Sequence, residues 1–134
     1  MQLKITTDYA IRTVLYLARV DRLASSAEVA EEMAIPRKYL INIVGELKRE
    51  GLVKTHSGQN GGYSLTRPPE EISLYDIIKI MENTTKFNRC LEDDKFCSRQ
   101  ATETCPIHKA YALVQQRMEK TLKEITIEKL LKEL

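Results

Sequence analysis

The sequence predicts a mainly α-helical fold: a winged helix-turn-helix domain with a two-stranded wing, followed by a long C-terminal dimerisation helix. Three observations predict it. A short capped helix at 25–33 is joined by two residues to a second amphipathic helix that stops at Gly51. Four of the five glycines then fall between 51 and 62, inside a strand–loop–strand pattern. Apolar residues finally recur at alternating spacings of four and three from Ile107 to Ile125.

Taken in order, residues 8–20 place Ile11, Val14, Leu15 and Ala18 at helical spacing, with Thr6 or Thr7 as the expected N-cap. Ser25 and Glu28 form the S-x-x-E pattern of a capping box and open a short helix through about Met33. Ala34-Ile35 makes a tight connection, and Pro36 suits the first turn of a third helix, where a missing N–H costs nothing. That helix buries Leu40, Ile43, Val44 and Leu47. Two helices joined by so short a turn are a helix-turn-helix signature. The segment LVKTHSGQNGGYSLTRPP reads as a hairpin with Gly58, Gly61 and Gly62 at its tip, which is a wing. Pro68-Pro69 ends it, and ISLYDIIKIMEN (72–83) is a further amphipathic helix.

After a polar stretch, Ile107, Tyr111, Val114, Met118, Thr121 and Ile125 form the narrow stripe of a helix that pairs with another helix. A dimer seam at Ile107, Tyr111, Val114, Met118 and Ile125 is the expected use of that stripe; packing on its own domain is the alternative. A short helix starts after Thr126. The organisation is thus a winged-helix domain at 1–83, a cysteine-bearing loop at 84–106, and the dimerisation helix with its short successor at 107–134.

At 134 residues the chain has room for one domain, or one small domain with a helical appendage, and 43% hydrophobic with 30% charged residues is an ordinary balance. It has no apolar run of 18 residues, so no membrane-spanning helix is expected. Asp8 and Arg12 interrupt the opening apolar stretch, unlike a signal-peptide core, so a cytoplasmic, reducing location is expected. No phosphate loop and no nucleophile–base constellation is visible, and His56 and His108 are the two histidines; the chain is not expected to be an enzyme.

A net charge of +2 does not by itself indicate nucleic acid, so the local balance decides. From 36 to 67 there are six Lys or Arg (37, 38, 48, 49, 54 and 67) against Glu46 and Glu50, a local +4. Lys38, Asn42, Gly45 and Arg49 share one face of the third helix, with Arg37 and Tyr39 beside its start. Asparagine can pair with adenine, while lysine and arginine serve guanine or phosphate. The expected DNA contacts are Ser26, Arg37, Lys38, Tyr39, Asn42, Arg49, Lys54, His56, Ser57 and Asn60. Gly45 costs about 1 kcal/mol against alanine in a helix interior, which suggests close approach of another backbone.

All three cysteines, Cys90, Cys97 and Cys105, lie in one polar loop with spacing C-x6-C-x7-C, and His108 follows the last by three residues. An odd number of thiols in a reducing compartment points to metal or redox chemistry. Thiolates select iron–sulfur clusters, zinc or copper(I). Zinc on the three cysteines and His108 is one alternative, although structural zinc sites favour shorter gaps. A cluster-free switch through disulfide or sulfenic acid is another. A small electron-transfer protein could use the same cluster, but would leave the helix-turn-helix and wing without a purpose.

The opening LKITTDYAIRTVLYLA, the stretch YLINIVGELKREGLVKT, the wing GQNGGYSLTR, the helix ISLYDIIKIME and three cysteines ending in CPIH together resemble the cluster-binding branch of the Rrf2 family of bacterial winged-helix regulators. The resemblance spans essentially the whole chain. It implies a homodimer joined through the long C-terminal helix and bound to a palindromic double-stranded operator. It implies an iron–sulfur cluster, two-iron or four-iron, held by the cysteine loop at the dimer interface and sensing iron, nitric oxide or redox state. It also implies Asp8 of the partner subunit as the fourth ligand, with His108 the rival. Two positions depart from the family pattern: Ser57, after His56, stands where many relatives have an arginine, and the cysteine gaps are wider than the usual five residues.

Overall fold

The computed structural model describes residues 1–133. Helix α1 (Ile5–Val20) begins on Ile5, ahead of the expected start at residue 8, and neither Thr6 nor Thr7 is its N-cap. Lys4 holds that position without a side-chain bond. The acceptor comes instead from Glu82: its Oε1 receives the Lys4 N–H at 2.8 Å and the Thr7 hydroxyl at 2.8 Å. A carboxylate from the far end of the domain thus satisfies the electropositive start of α1.

Helix α2 (Ser26–Glu32) is capped by Ser25, whose Oγ accepts the Glu28 N–H at 3.1 Å. The expected capping box is only half made, because the Glu28 carboxylate turns to Arg22 at 3.1 Å. Pro36 sits one residue outside α3 (Arg37–Arg49), at its N-cap rather than in its first turn. Between the helices Ala34 adopts φ 52°, with its N–H on Glu31 O and the Ile35 N–H on Ala30 O at 2.9 Å. This is a Schellman turn with alanine where glycine is preferred. Ala34→Gly should therefore raise stability by about 1 kcal/mol, read as a higher urea midpoint at unchanged slope. Gly51, at φ 78°, closes α3 with the same hydrogen-bond pattern: its N–H bonds Lys48 O and that of Leu52 bonds Leu47 O.

Leu40, Ile43, Val44 and Leu47 are buried as their spacing predicts, against Val14 and Leu17 of α1. Strands β1 (Val53–His56) and β2 (Gly62–Leu65) pair antiparallel with Val53 opposite Leu65 and His56 opposite Gly62. Ala24, just before α2, adds a third rung: its N–H reaches Tyr63 O at 3.1 Å and its carbonyl accepts the Tyr63 N–H at 2.8 Å. This close passage accounts for Gly62, and the wing's own backbone accounts for Gly61. A Cβ at Gly62 would lie 2.5 Å from Ala24 O, and one at Gly61 would lie 2.1 Å from His56 O.

Helix α4 (Leu74–Met81) opens on a complete Ser73/Asp76 capping box, which the sequence reading did not mark. Helix α5 (Pro106–Glu124) leads into α6 (Ile127–Lys132), capped by Thr126. The chain end is more than an appendage. The Leu74 N–H bonds Ile125 O at 2.9 Å, that of Ile127 bonds Ile72 O at 2.8 Å, and the Ile127 side chain is fully buried beside Ile72 and Ile77 in the core beneath α1. Among the described residues no helix is long and apolar enough to cross a membrane.

Candidate nucleic-acid interface and thiol site

The outer face of α3 carries Lys38, Asn42, Gly45 and Arg49 in the open. Its first residue is braced: Arg37 Nη2 donates to Ser26 Oγ at 3.1 Å, so two expected DNA contacts tie α3 to α2. Tyr39 tilts against Tyr9 with ring centroids 6.1 Å apart, and Lys38 Nζ lies 5.4 Å from the Tyr39 ring. Gly45 does not answer to the chain itself. A Cβ added there would meet no heavy atom of the described residues within 4 Å, so the expected backbone neighbour is not intramolecular.

The wing divides the remaining expected contacts. Alternation along β1 turns Thr55 toward α3, where Lys48 Nζ donates to its hydroxyl at 3.0 Å. Lys54 and His56 leave by the other face and line, with Arg22, Ser64 and Arg67, a groove of about 620 Å³ against Leu17 and Ala18 of α1. Ser57 and Asn60 are exposed at the tip.

The cysteine loop is held by a residue that sequence reasoning missed. Gln115 of α5 is buried; its Oε1 accepts the Phe87 N–H at 3.1 Å, and its Nε2 donates to Thr85 O at 2.8 Å and Glu119 Oε1 at 3.0 Å. Lys86 joins this group through Glu119 at 3.0 Å, a bond that raises the lysine pKa. Phe87 meets Tyr111 edge-on at 5.1 Å between centroids. A glutamine between polar neighbours carries no sequence signal that separates an anchor from a solvated face.

So anchored, the loop brings Cys90, Cys97, Cys105 and His108 to one cavity of about 310 Å³, shared with Phe96, Ile107 and Tyr111. All three thiols are free and half-buried. His108 Nδ1 lies 3.2 Å from Cys90 Sγ, and Asn88 Nδ2 donates to the same sulfur at 3.1 Å. This thiol–imidazole contact was not visible in the sequence, where the two residues are separated by the whole loop. Cys97 is held below the ordinary thiol pKa by the backbone N–H of Ala101 and then of Arg99. Such donors favour a thiolate, the form that binds soft metals. The donor set fits a thiolate-ligated group, but among the described residues no three His, Cys, Asp or Glu side chains are gathered closely enough to hold a metal ion as they stand. Asp8 is elsewhere: Arg12 Nη2 pairs with its Oδ2 at 2.6 Å, one turn along α1, and it does not line the cavity.

The profile of the Rrf2 family, described as "Iron-dependent Transcriptional regulator", matches residues 3–133. The chain belongs to the Rrf2 family. It is 32% identical over 127 residues to a protein of Aquifex aeolicus (strain VF5) named as a candidate HTH-type transcriptional regulator, covering 94% of this chain and 88% of that one. Among solved structures it is similar to CymR (YrzC), the global cysteine regulator of B. subtilis, with TM-score 0.81 at 23% identity over 100% of this chain and 98% of that one. It is also similar to T. potens IscR, with TM-score 0.76 at 27% identity over 99% and 88%.

In this Rrf2 chain the stripe expected to form the dimer seam is divided. Ile107 and Val114 are 56% and 53% exposed, and Leu113 is open beside them. Tyr111 is half-buried against Phe87, and Met118 lines a groove of about 360 Å³ with Leu3, Tyr75, Ile78 and Leu122. Ile125 sits at the α5 C-cap, where its carbonyl receives the Leu74 N–H. The same Rrf2 helix therefore serves its own domain on one side and leaves an apolar strip on the other.

Proposed function

We propose that this Rrf2 transcriptional regulator acts as a homodimer on a palindromic double-stranded operator, and that an iron–sulfur cluster in the thiol cavity sets its affinity. The observation that carries the reading is the convergence of Cys90, Cys97, Cys105 and His108 on one cavity in a loop with few apolar anchors. Cys90, Cys97 and Cys105 would hold the cluster, which when bound supplies a centre sensitive to oxygen, nitric oxide and iron supply. Asp8 of a second subunit is the proposed fourth ligand, a role for which it must leave Arg12; His108 is the intrachain rival. The exposed Ile107, Leu113 and Val114 supply the seam between subunits.

The chain's own residues connect loop to DNA face. Gln115 and Glu119 fix the loop's entry on α5, and Glu82, just before that entry, holds the first turn of α1. Loop rearrangement thus bears on the helix against which α3 packs. Arg37, Lys38 and Arg49 position the protein on phosphates, and Asn42 meets a base edge.

Anaerobic purification tests the reading, with visible absorbance and iron and sulfide counts per chain. Iron and sulfide in equal amounts are expected, with strong loss in each of Cys90→Ala, Cys97→Ala and Cys105→Ala. Mixing Asp8→Ala with Cys97→Ala subunits should restore one site per heterodimer, which no intrachain ligand can do. Stoichiometric zinc without iron would overturn the cluster. A second reading, a thiol switch without metal, is favoured by the 3.2 Å contact of His108 with Cys90. It would show as reversible oxidation of iron-free protein that alters operator affinity.

A further inference from the structure

Two features of α3 have no use inside this chain. Ile41 is 56% exposed, a large apolar side chain on a helix face otherwise bearing Lys38, Asn42 and Arg49. Gly45, one turn on, is open, with no heavy atom of the described residues within 4 Å of where its Cβ would stand. Residues four apart on a helix lie one above the other. Ile41 therefore stands next to a patch of bare backbone, and the two together make a shallow apolar step between polar neighbours.

This step rests on α3 being the helix that enters the major groove. There, each base edge offers hydrogen-bond donors and acceptors, and thymine alone adds an apolar group, its 5-methyl. Phosphates and the other bases give an isoleucine nothing to bind. A missing side chain at Gly45 lets the helix approach closely enough for Ile41 to reach a base edge. We propose that Ile41 and the backbone at Gly45 form a seat for a thymine methyl group, making Ile41 a specificity-determining residue beside Asn42.

The test begins with duplexes enriched from a random library by the purified dimer, in whichever loop state binds. Each thymine of the enriched site is then replaced singly by deoxyuridine, which removes only the methyl group. Burying one methyl-sized group corresponds to about a four-fold change in affinity. One thymine per half-site should show that loss in fluorescence anisotropy titrations. Ile41→Ala should lose the same factor on the thymine duplex, become indifferent to uracil there, and keep its thermal midpoint. Gly45→Ala should raise the thermal midpoint yet weaken DNA binding, because its methyl occupies the seat. Uniform tolerance of uracil, or unchanged uracil sensitivity in Ile41→Ala, overturns the thymine seat while leaving DNA binding intact. Enrichment of no duplex overturns both.

Discussion

Gly62→Ala is expected to destabilise the domain by about 3 kcal/mol. The new Cβ would stand 2.5 Å from the carbonyl oxygen of Ala24, and backbone cannot turn aside as a flexible side chain can. Relief requires moving Ala24 away from β2, which breaks the bond in each direction between Ala24 and Tyr63. Two backbone bonds at about 1 kcal/mol net each, plus about 1 kcal/mol of residual strain, make up that cost. Urea denaturation should show the midpoint falling at unchanged slope. DNA binding should weaken as well, since Ala24 joins the wing to the start of α2. A loss below about 0.5 kcal/mol, the usual range of an innocuous surface change, would mean that the Ala24 strand is free to shift and does not brace the wing.

The second large effect is local. Gln115→Ala removes the acceptor of the Phe87 N–H and a donor to Thr85 O in one step. Two backbone groups left unsatisfied in a part-buried site favour opening to water over staying in place, by about 2–3 kcal/mol. That corresponds to a roughly 30–150-fold rise in the open population of the loop. Hydrogen exchange at the Phe87 amide should accelerate by that factor, while amides in α3 keep their protection. Cluster retention, if the cavity holds one, should shorten in parallel. Unchanged exchange at Phe87 would show that Tyr111 and the Lys86–Glu119 pair suffice to hold the loop.

The helix-turn-helix and wing were legible because their signals are local. Leu40, Ile43, Val44 and Leu47 repeat at helical spacing within eight residues, and all four are buried. Gly51 sits where a left-handed residue must end a helix. The wing's alternation also held the division of its faces, since Lys54 and His56 share a parity opposite to Thr55. What could not be read depends on distant partners. Glu82 caps a helix more than seventy positions upstream, and its Glu-Asn context looks like an ordinary helix end. Ser25 and Glu28 matched the capping pattern, yet Arg22 competed for the carboxylate. For α5 the difficulty is physical: an apolar groove in the same chain and the surface of a second copy attract the same residues. Spacing cannot apportion Tyr111 and Met118 to one and Ile107 and Val114 to the other.

The docking of α6 on α1 bears on how the protein is made. The first helix is synthesised long before Ile127, which closes the core under it. Until Ile127 has left the exit tunnel, α1 to α4 have an incomplete core, because Ile72 and Ile77 share their buried cluster with Ile127. Contacts joining the two ends of a chain are slow to form, because a long loop must close before they contribute. Folding of the winged-helix unit therefore waits on synthesis of α6. A stalled or truncated product ending before Thr126 would expose that apolar surface and be a substrate for chaperones and proteases rather than a folded winged-helix domain.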